Sequence, residues 1–326
     1  MFPFAAPAII KPAIAGGAIL KPQDVFATDL WTGDGAEKTI VNGIDFLGRG
    51  GAVLEKARDI AQGWLLTDTP RGPTRILITN NTDAEYTGGA SVGVVQFNNN
   101  GYRFDAIAAP YKRVGYSLAR AAKFFDIVTW TGDGTSNRLI PHALGVVPGM
   151  IIGKGRNSAT GWPVYHRSLP NPAADYLTLQ TTSAYATAST LYGALATATS
   201  FTVNPSFNQA GVDYVGLVFA HDPSADGIVQ CGSFSLDGTF GATVNLGWQP
   251  QFVLIKAASG TNSAWLIMDG QRGFGSGCRV LQPNDSAAEF GPGNYMTVSS
   301  SGFTLPSGQL YGAARDIIYL AIRAPY

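Results

Sequence analysis

Apolar and polar positions alternate in short runs along most of the chain, and a few runs are apolar almost without a break. The unbroken runs are Tyr214-Val215-Gly216-Leu217-Val218-Phe219-Ala220 and Ile317-Ile318-Tyr319-Leu320-Ala321-Ile322, with Met150-Ile151-Ile152 and Phe252-Val253-Leu254-Ile255 as shorter ones. Runs of this length, bounded by Gly, Pro and Asn, predict central strands covered on both faces. Arg75-Ile76-Leu77-Ile78-Thr79 predicts a further strand. Val92 to Phe97 and Tyr102 to Phe104 flank Asn98-Asn99-Asn100-Gly101, whose Asn-Gly pair supplies the positive φ of a hairpin turn. Tyr295 to Val298, the turn Ser299 to Gly302, and Phe303 to Leu305 predict the same device again.

These elements recur with a period of about one hundred residues. Trp31-Thr32-Gly33-Asp34-Gly35 is followed by Lys56 and Trp64, and Trp130-Thr131-Gly132-Asp133-Gly134 by Lys154 and Trp162. A degraded third copy, Phe234-Ser235-Leu236-Asp237-Gly238, is followed by Lys256 and Trp265. A period of that size is a whole small domain and not a solenoid unit, so the chain reads as a module built three times. The register of the repeat also decides one local conflict. Leu54 to Ala61, which would be helix on its Glu, Lys, Ala and Arg content, falls where the other copies carry buried strands and is therefore expected to be a strand followed by a loop. The fold expected is all-β: three tandem antiparallel β-sandwich, jelly-roll-like modules at 25–124, 125–222 and 223–326, behind an extended arm at 1–24. The joint after Phe124 is nearly absent, whereas His221 to Gly227 is a short polar linker with Pro and Gly and is the place expected for any hinge.

The arm is apolar at Phe2, Phe4, Ile9, Ile10, Ile14, Ile19 and Leu20 and is interrupted by Pro3, Pro7, Pro12 and Pro22. Proline at that density excludes a spanning helix, and no basic segment precedes an unbroken apolar core, so neither a membrane anchor nor a signal peptide is expected. A docking role against other subunits is. Composition points the same way: charged residues are 13% of the 326 and balance to zero, about half the usual ~25%. Such a surface lacks the clustered Lys and Arg that nucleic acid requires, and it is expected to be covered by other proteins.

Candidate chemistry is sparse. The three histidines, His142, His166 and His221, are scattered, and no nucleophile elbow accompanies them, so no catalytic residues and no enzyme are expected. Asp34, Asp133 and Asp237 would be either calcium or sugar ligands or, more simply, acceptors holding Gly-flanked turns; inconsistent oxygen donors nearby favour the turn. Trp64, Trp162 and Trp265 would either stack on pyranose rings or anchor a core with locally bonded indoles, and recurrence in every module favours the core. Lys56, Lys154 and Lys256 are expected at solvated strand ends, and Arg71, Arg167 and Arg272 in exposed loops. Gly273 to Gly277 lacks the Lys-Ser/Thr of a phosphate loop. Cys231 and Cys278 are expected reduced, with no cofactor or metal.

The stretch FDIVTWTGDGTSNRLIPHALGVVPGMIIGKGRNSATGWPVYHRSL resembles a repeated β-rich domain of unassigned activity found in tailed-bacteriophage virion proteins, many of them tail fibres. DYVGLVFAHD, IVQCGSFSLDG and LGWQPQFVLIK are also similar to that family, so the resemblance covers about 125–326 directly and 25–124 through the internal repeat. It implies location in a virion, and the expectation is a structural virion protein, a tail fibre or tail-tip adsorption protein that contacts the host surface as a homotrimer, with other virion proteins and a host glycan as partners. Alternatives are a capsid decoration protein and a glycan-binding or depolymerising tail enzyme. The resemblance brings no catalytic residues. Module one departs from the pattern at Glu55-Lys56-Ala57-Arg58.

Overall fold

The computed structural model describes residues 20–326 apart from 88–92, 107–109, 237, 238, 240, 261, 262 and 312. Six of the seven arm positions, Phe2, Phe4, Ile9, Ile10, Ile14 and Ile19, lie outside the described residues, as does Asp237; Leu20 is described and packs on the core.

Module one contributes β1 (Phe26–Thr32), β2 (Lys38–Val41), β3 (Gly51–Ala57), β4 (Leu65–Asp68), β5 (Arg75–Ile78), β6 (Tyr86–Thr87), β7 (Val94–Asn98), β8 (Gly101–Phe104) and β9 (Lys112–Ala119), with a one-turn helix α1 at Phe46–Arg49. Module two contributes β10 (Phe125–Thr131), β11 (Arg138–Pro141), β12 (Pro148–Gly155), β13 (Pro163–His166), β14 (Asp175–Thr178), β15 (Ala186–Thr187), β16 (Ser200–Val203) and β17 (Asp213–Ala220). Module three contributes β18 (Val229–Ser235), β19 (Ala242–Asn245), β20 (Pro250–Ala257), β21 (Trp265–Asp269), β22 (Cys278–Val280), β23 (Phe290–Gly293), β24 (Thr297–Ser299), β25 (Gly302–Leu305) and β26 (Asp316–Arg323).

Each module has one large antiparallel sheet, ordered β1-β9-β3-β4-β5-β6, β10-β17-β12-β13-β14-β15 and β18-β26-β20-β21. The apolar runs β17 and β26 sit inside these sheets, between the first and third strands of their modules, and the more polar β9 takes the same place in module one. β3 is a strand throughout, paired with β9 from Gly51↔Ala119 to Ala57↔Arg113, so pairing on both edges overrides its helical propensity. A small outer sheet, β2-β8-β7, β11-β16 or β19-β25-β24, covers one face. The β7-β8 hairpin turns at Gly101, where φ is 140° and a Cβ would lie 1.9 Å from the Ile40 carbonyl oxygen; only glycine fits there.

Strand alternation divides each large sheet between two cores. In module three Val253, Ile255 and Ala257 of β20 face the outer sheet with Phe303 and Leu305, while Phe252 and Leu254 face the other way. That second face joins the cluster that holds Leu66 and Tyr116 of module one and Ile152 and Leu217 of module two. The three large sheets therefore share one central core. Register equates Leu54, Ile152 and Leu254, opposite Tyr116, Leu217 and Leu320 respectively, so the core is stacked from equivalent positions in pseudo-threefold layers.

This closure corrects the expected hinge. His221 to Gly227 is pinned, with Asp222 N donating to Val229 O at 2.9 Å, Cys231 N to His221 Nδ1 at 3.2 Å and Arg323 Nη1 to Ala225 O at 2.7 Å. Modules two and three are also packed face to face through the shared core.

Candidate functional site

Polar chemistry concentrates where one module meets the next, and the three seams repeat one pattern cyclically. Glu85 N donates to Arg156 O at 2.6 Å, Tyr185 N to Ala258 O at 2.9 Å and Glu289 N to Arg58 O at 2.8 Å. Module one thus contacts two, two contacts three, and three returns to one. The acceptors stand two residues beyond Lys154, Lys256 and Lys56, which places the landmark lysines at the seams.

The three tryptophans follow the same cycle. Trp64 donates its indole N–H to Gln282 O at 2.8 Å, Trp162 to Asn81 O at 3.0 Å and Trp265 to Thr178 O at 3.1 Å. All three side chains are fully buried, so they anchor the core and present no ring face to a sugar. Their indole bonds are not local, as the sequence suggested, but reach into the neighbouring module. Their own backbone N–H groups are held by Asn80, Gln180 and Asn284 at 2.8–3.0 Å.

The lysines are not at solvated strand ends. Lys56, Lys154 and Lys256 are fully buried, and over Lys154 and Lys256 the roof is the preceding module's loop at Thr82 and Thr182. Lys154 donates to Thr82 O at 3.1 Å and Thr160 O at 2.9 Å, and Lys256 to Thr182 O at 2.9 Å and to Ser263 O. Lys56 instead bonds carbonyls of its own module, Ala57 O and Ile60 O. Burial brings each ammonium down to about 8, since carbonyl dipoles only partly replace lost hydration.

Two of the expected loop arginines are buried as well. Arg71 Nε lies 2.5 Å from Asp68 Oδ2 and Arg272 Nε 2.6 Å from Asp269 Oδ2. Arg167 is exposed and out of register: the residue three after the Asp68/His166/Asp269 position is Arg71, Leu169 or Arg272. Glu85 accepts from Arg71 Nη1 at 3.0 Å and from Arg156 across the seam at 3.0 and 3.2 Å. Glu289 accepts likewise from Arg58 across its seam at 2.8 and 3.0 Å, and Arg272 Nη1 stands 3.5 Å from it as an ion pair without a hydrogen bond. Burial pushes Glu85 up, but the hydrogen bonds from Arg156 and Arg71 prevail and hold it below the usual carboxylate range.

The seam between modules two and three carries none of this. Its equivalents are His166, Leu169, Tyr185 and Ala258, all uncharged or neutral by environment. His166 is fully buried, its Nε2 bonded to Tyr319 O at 3.1 Å and its Nδ1 accepting from Ser168 N at 3.2 Å. Burial lowers it to about 4, which keeps the ring neutral, and its two partners fix the Nε2–H tautomer. At the third seam the same position is Asp269, which accepts from Tyr116 Oη at 2.8 Å. Sequence reasoning missed Glu85, Glu289, Arg58 and Arg156; the readable signal was Lys-x-Arg at 56–58 and 154–156, which becomes Lys-Ala-Ala at 256–258.

The WTGDG turns lie outside the seams. Trp31 packs edge-on to Phe104 at 5.5 Å, Trp130 stacks on Tyr214 at 5.1 Å, and Phe234 meets Phe303 at 6.0 Å, so this aromatic plugs each module's outer core. Asp34 is exposed and accepts from Ala36 N at 3.1 Å and from Lys38 Nζ. Asp133 accepts from Thr135 N at 2.9 Å, Thr135 Oγ1 at 2.6 Å and Asn208 Nδ2 at 2.6 Å, and hydrogen bonds from Thr135 bring it down to about 2. Both are turn acceptors. Among the described residues no group of three or more His, Cys, Asp or Glu is placed to hold a metal ion. Module one alone buries a Glu55–Arg113 ion pair in its outer core, where module two has Gly153 against Phe207. Cys231 and Cys278 are buried free thiols, and no helix among the described residues is long and apolar enough to cross a membrane.

No curated protein matches the chain. Residues 21–115 and 114–323 match a family described as a domain of unknown function, DUF7483. The first match runs through module one into β9, and the second starts within β9 and takes modules two and three together. The chain belongs to the DUF7483 family.

Proposed function

We propose that the chain is a non-catalytic structural protein of a tailed-phage virion, a compact tail-tip attachment body carried on its apolar N-terminal arm. The observation that carries this reading is the closed ring. Of the charges described above, the Arg156–Glu85 and Arg58–Glu289 pairs and the bonds of Lys154 and Lys256 to the Thr82 and Thr182 carbonyls join module to module, which suits a body that transmits load and not one that turns over a substrate. The sequence resemblance of 125–326 to virion proteins, the 13% charged content and the seven apolar arm positions support the same reading. A fibre shaft needs modules strung end to end; modules folded around one axis suit a knob.

Three near-equivalent modules about one axis also favour a second reading, a decoration protein seated on a threefold position of the capsid. The seam faces are already occupied within one chain, so self-association into a homotrimer would use other surfaces. Host glycan remains the proposed target of those surfaces at the tail tip.

Deletion of residues 1–19, which leaves Leu20 and the buried Pro22 in place, is expected to give a folded protein absent from purified particles. Normal incorporation of the truncated protein would refute the docking role. Position and copy number in a particle reconstruction separate the tail reading, with few copies, from the capsid reading, with many.

A further inference from the structure

The shared core is not filled at its centre. A cavity of about 60 Å³ lies among the inward faces of all three large sheets, and its wall is entirely apolar. Equivalent positions from each module line it: Leu54, Ile152 and Leu254 from β3, β12 and β20, and Thr79, Leu179 and Pro283 from the segments that follow the fifth strand or its counterpart. The cavity therefore sits on the pseudo-threefold axis, where three copies of one face meet and no single side chain spans the gap.

Water is a poor occupant. A buried water needs two to four polar partners, and the two hydroxyls nearest the wall are committed elsewhere, Thr79 Oγ1 to Pro283 O at 2.8 Å and Tyr116 Oη to Asp269 at 2.8 Å. Apolar cavities of this kind stay dry and accept apolar guests, and one of about 150 Å³ takes benzene. With less than half of that volume, the axial cavity fits a noble-gas atom or an aliphatic group of two or three carbons.

We propose that this axial cavity is a binding site for a single small apolar ligand, of the size of xenon or a short alkyl terminus. It requires only the shared core, so it stands whether or not the virion reading does.

The test uses the full chain and xenon as probe, read by methyl carbon–proton spectra under rising gas pressure. Saturable shifts are expected at the Leu54, Ile152 and Leu254 methyls. Ile152→Phe and Leu254→Phe each fill the space, and whichever of them keeps the native methyl spectrum is expected to lose the response. Absence of saturable shifts at those methyls in the natural protein would overturn the proposal. So would an undiminished response in a folded filled variant.

Discussion

Glu85 holds two arginines from different modules, Arg71 with its side chain buried and Arg156 at the seam. Removing one member of a buried ion pair leaves an uncompensated charge and costs about 3–5 kcal/mol. Glu85 is part-buried and Arg71 keeps Asp68 as a partner, so Glu85→Gln is expected to fall below that range and lower unfolding stability by about 2 kcal/mol in denaturant titration, and Glu85→Gln with Arg156→Ala by less than the sum of the two single changes, since both act on one contact. A cost under 0.5 kcal/mol for Glu85→Gln would show that the seam does not depend on the pair. His166 gives the neutral seam its own signature. Its folded pKa of about 4 lies below the ordinary 6.5, so its contribution is fully present above pH 6.5 and lost as pH falls through 4. Protonation would set an Nδ1–H against the Ser168 N–H that it now accepts. The linkage amounts to about 3 kcal/mol. Natural protein is expected to lose about that much more stability than His166→Asn between pH 7 and pH 4; parallel curves would exclude the role.

Strand β12 passes so close to the outer layer of module two that a Cβ on Gly153 would lie 1.8 Å from Phe207 Cζ. Gly153→Ala is therefore expected to destabilise by about 2 kcal/mol through overpacking, and Phe207→Leu in the same chain to recover part of that loss in thermal melts. Additive losses would mean that the two do not touch. At this scale the sequence was legible wherever one face of an element dominates. The runs at β17 and β26 announce central strands, and the Asn-Gly turn announces β7-β8. Strand β3 was legible only through the repeat, because Glu55 and Lys56 conceal their burial behind helix-forming chemistry. What the pattern could not carry was the second apolar face. A strand buried on both sides reads the same whether the second cover is its own module or another, so the sequence alone places Lys56, Lys154, Lys256, Arg71 and Arg272 in solvent.

The period of about one hundred residues declared three modules, but nothing in one module's sequence states that its inward face needs two others. Only the seam residues do, and they are dispersed across loops near 58, 85, 156, 185, 258 and 289. With Leu254, Leu320 and Ile322 facing the common core, residues 223–326 alone are expected to remain unfolded or to associate, while the full chain unfolds in one cooperative transition. The ring is closed, and the seam between modules three and one, far apart in sequence, is its decisive joint. Native-state amide hydrogen exchange at Glu85, Tyr185 and Glu289 tests it directly, because each N–H crosses one seam. A closed ring predicts that all three exchange only through global unfolding, with equal protection. Fast exchange at Glu289 beside slow exchange at Glu85 would show an open chain of modules and not a ring.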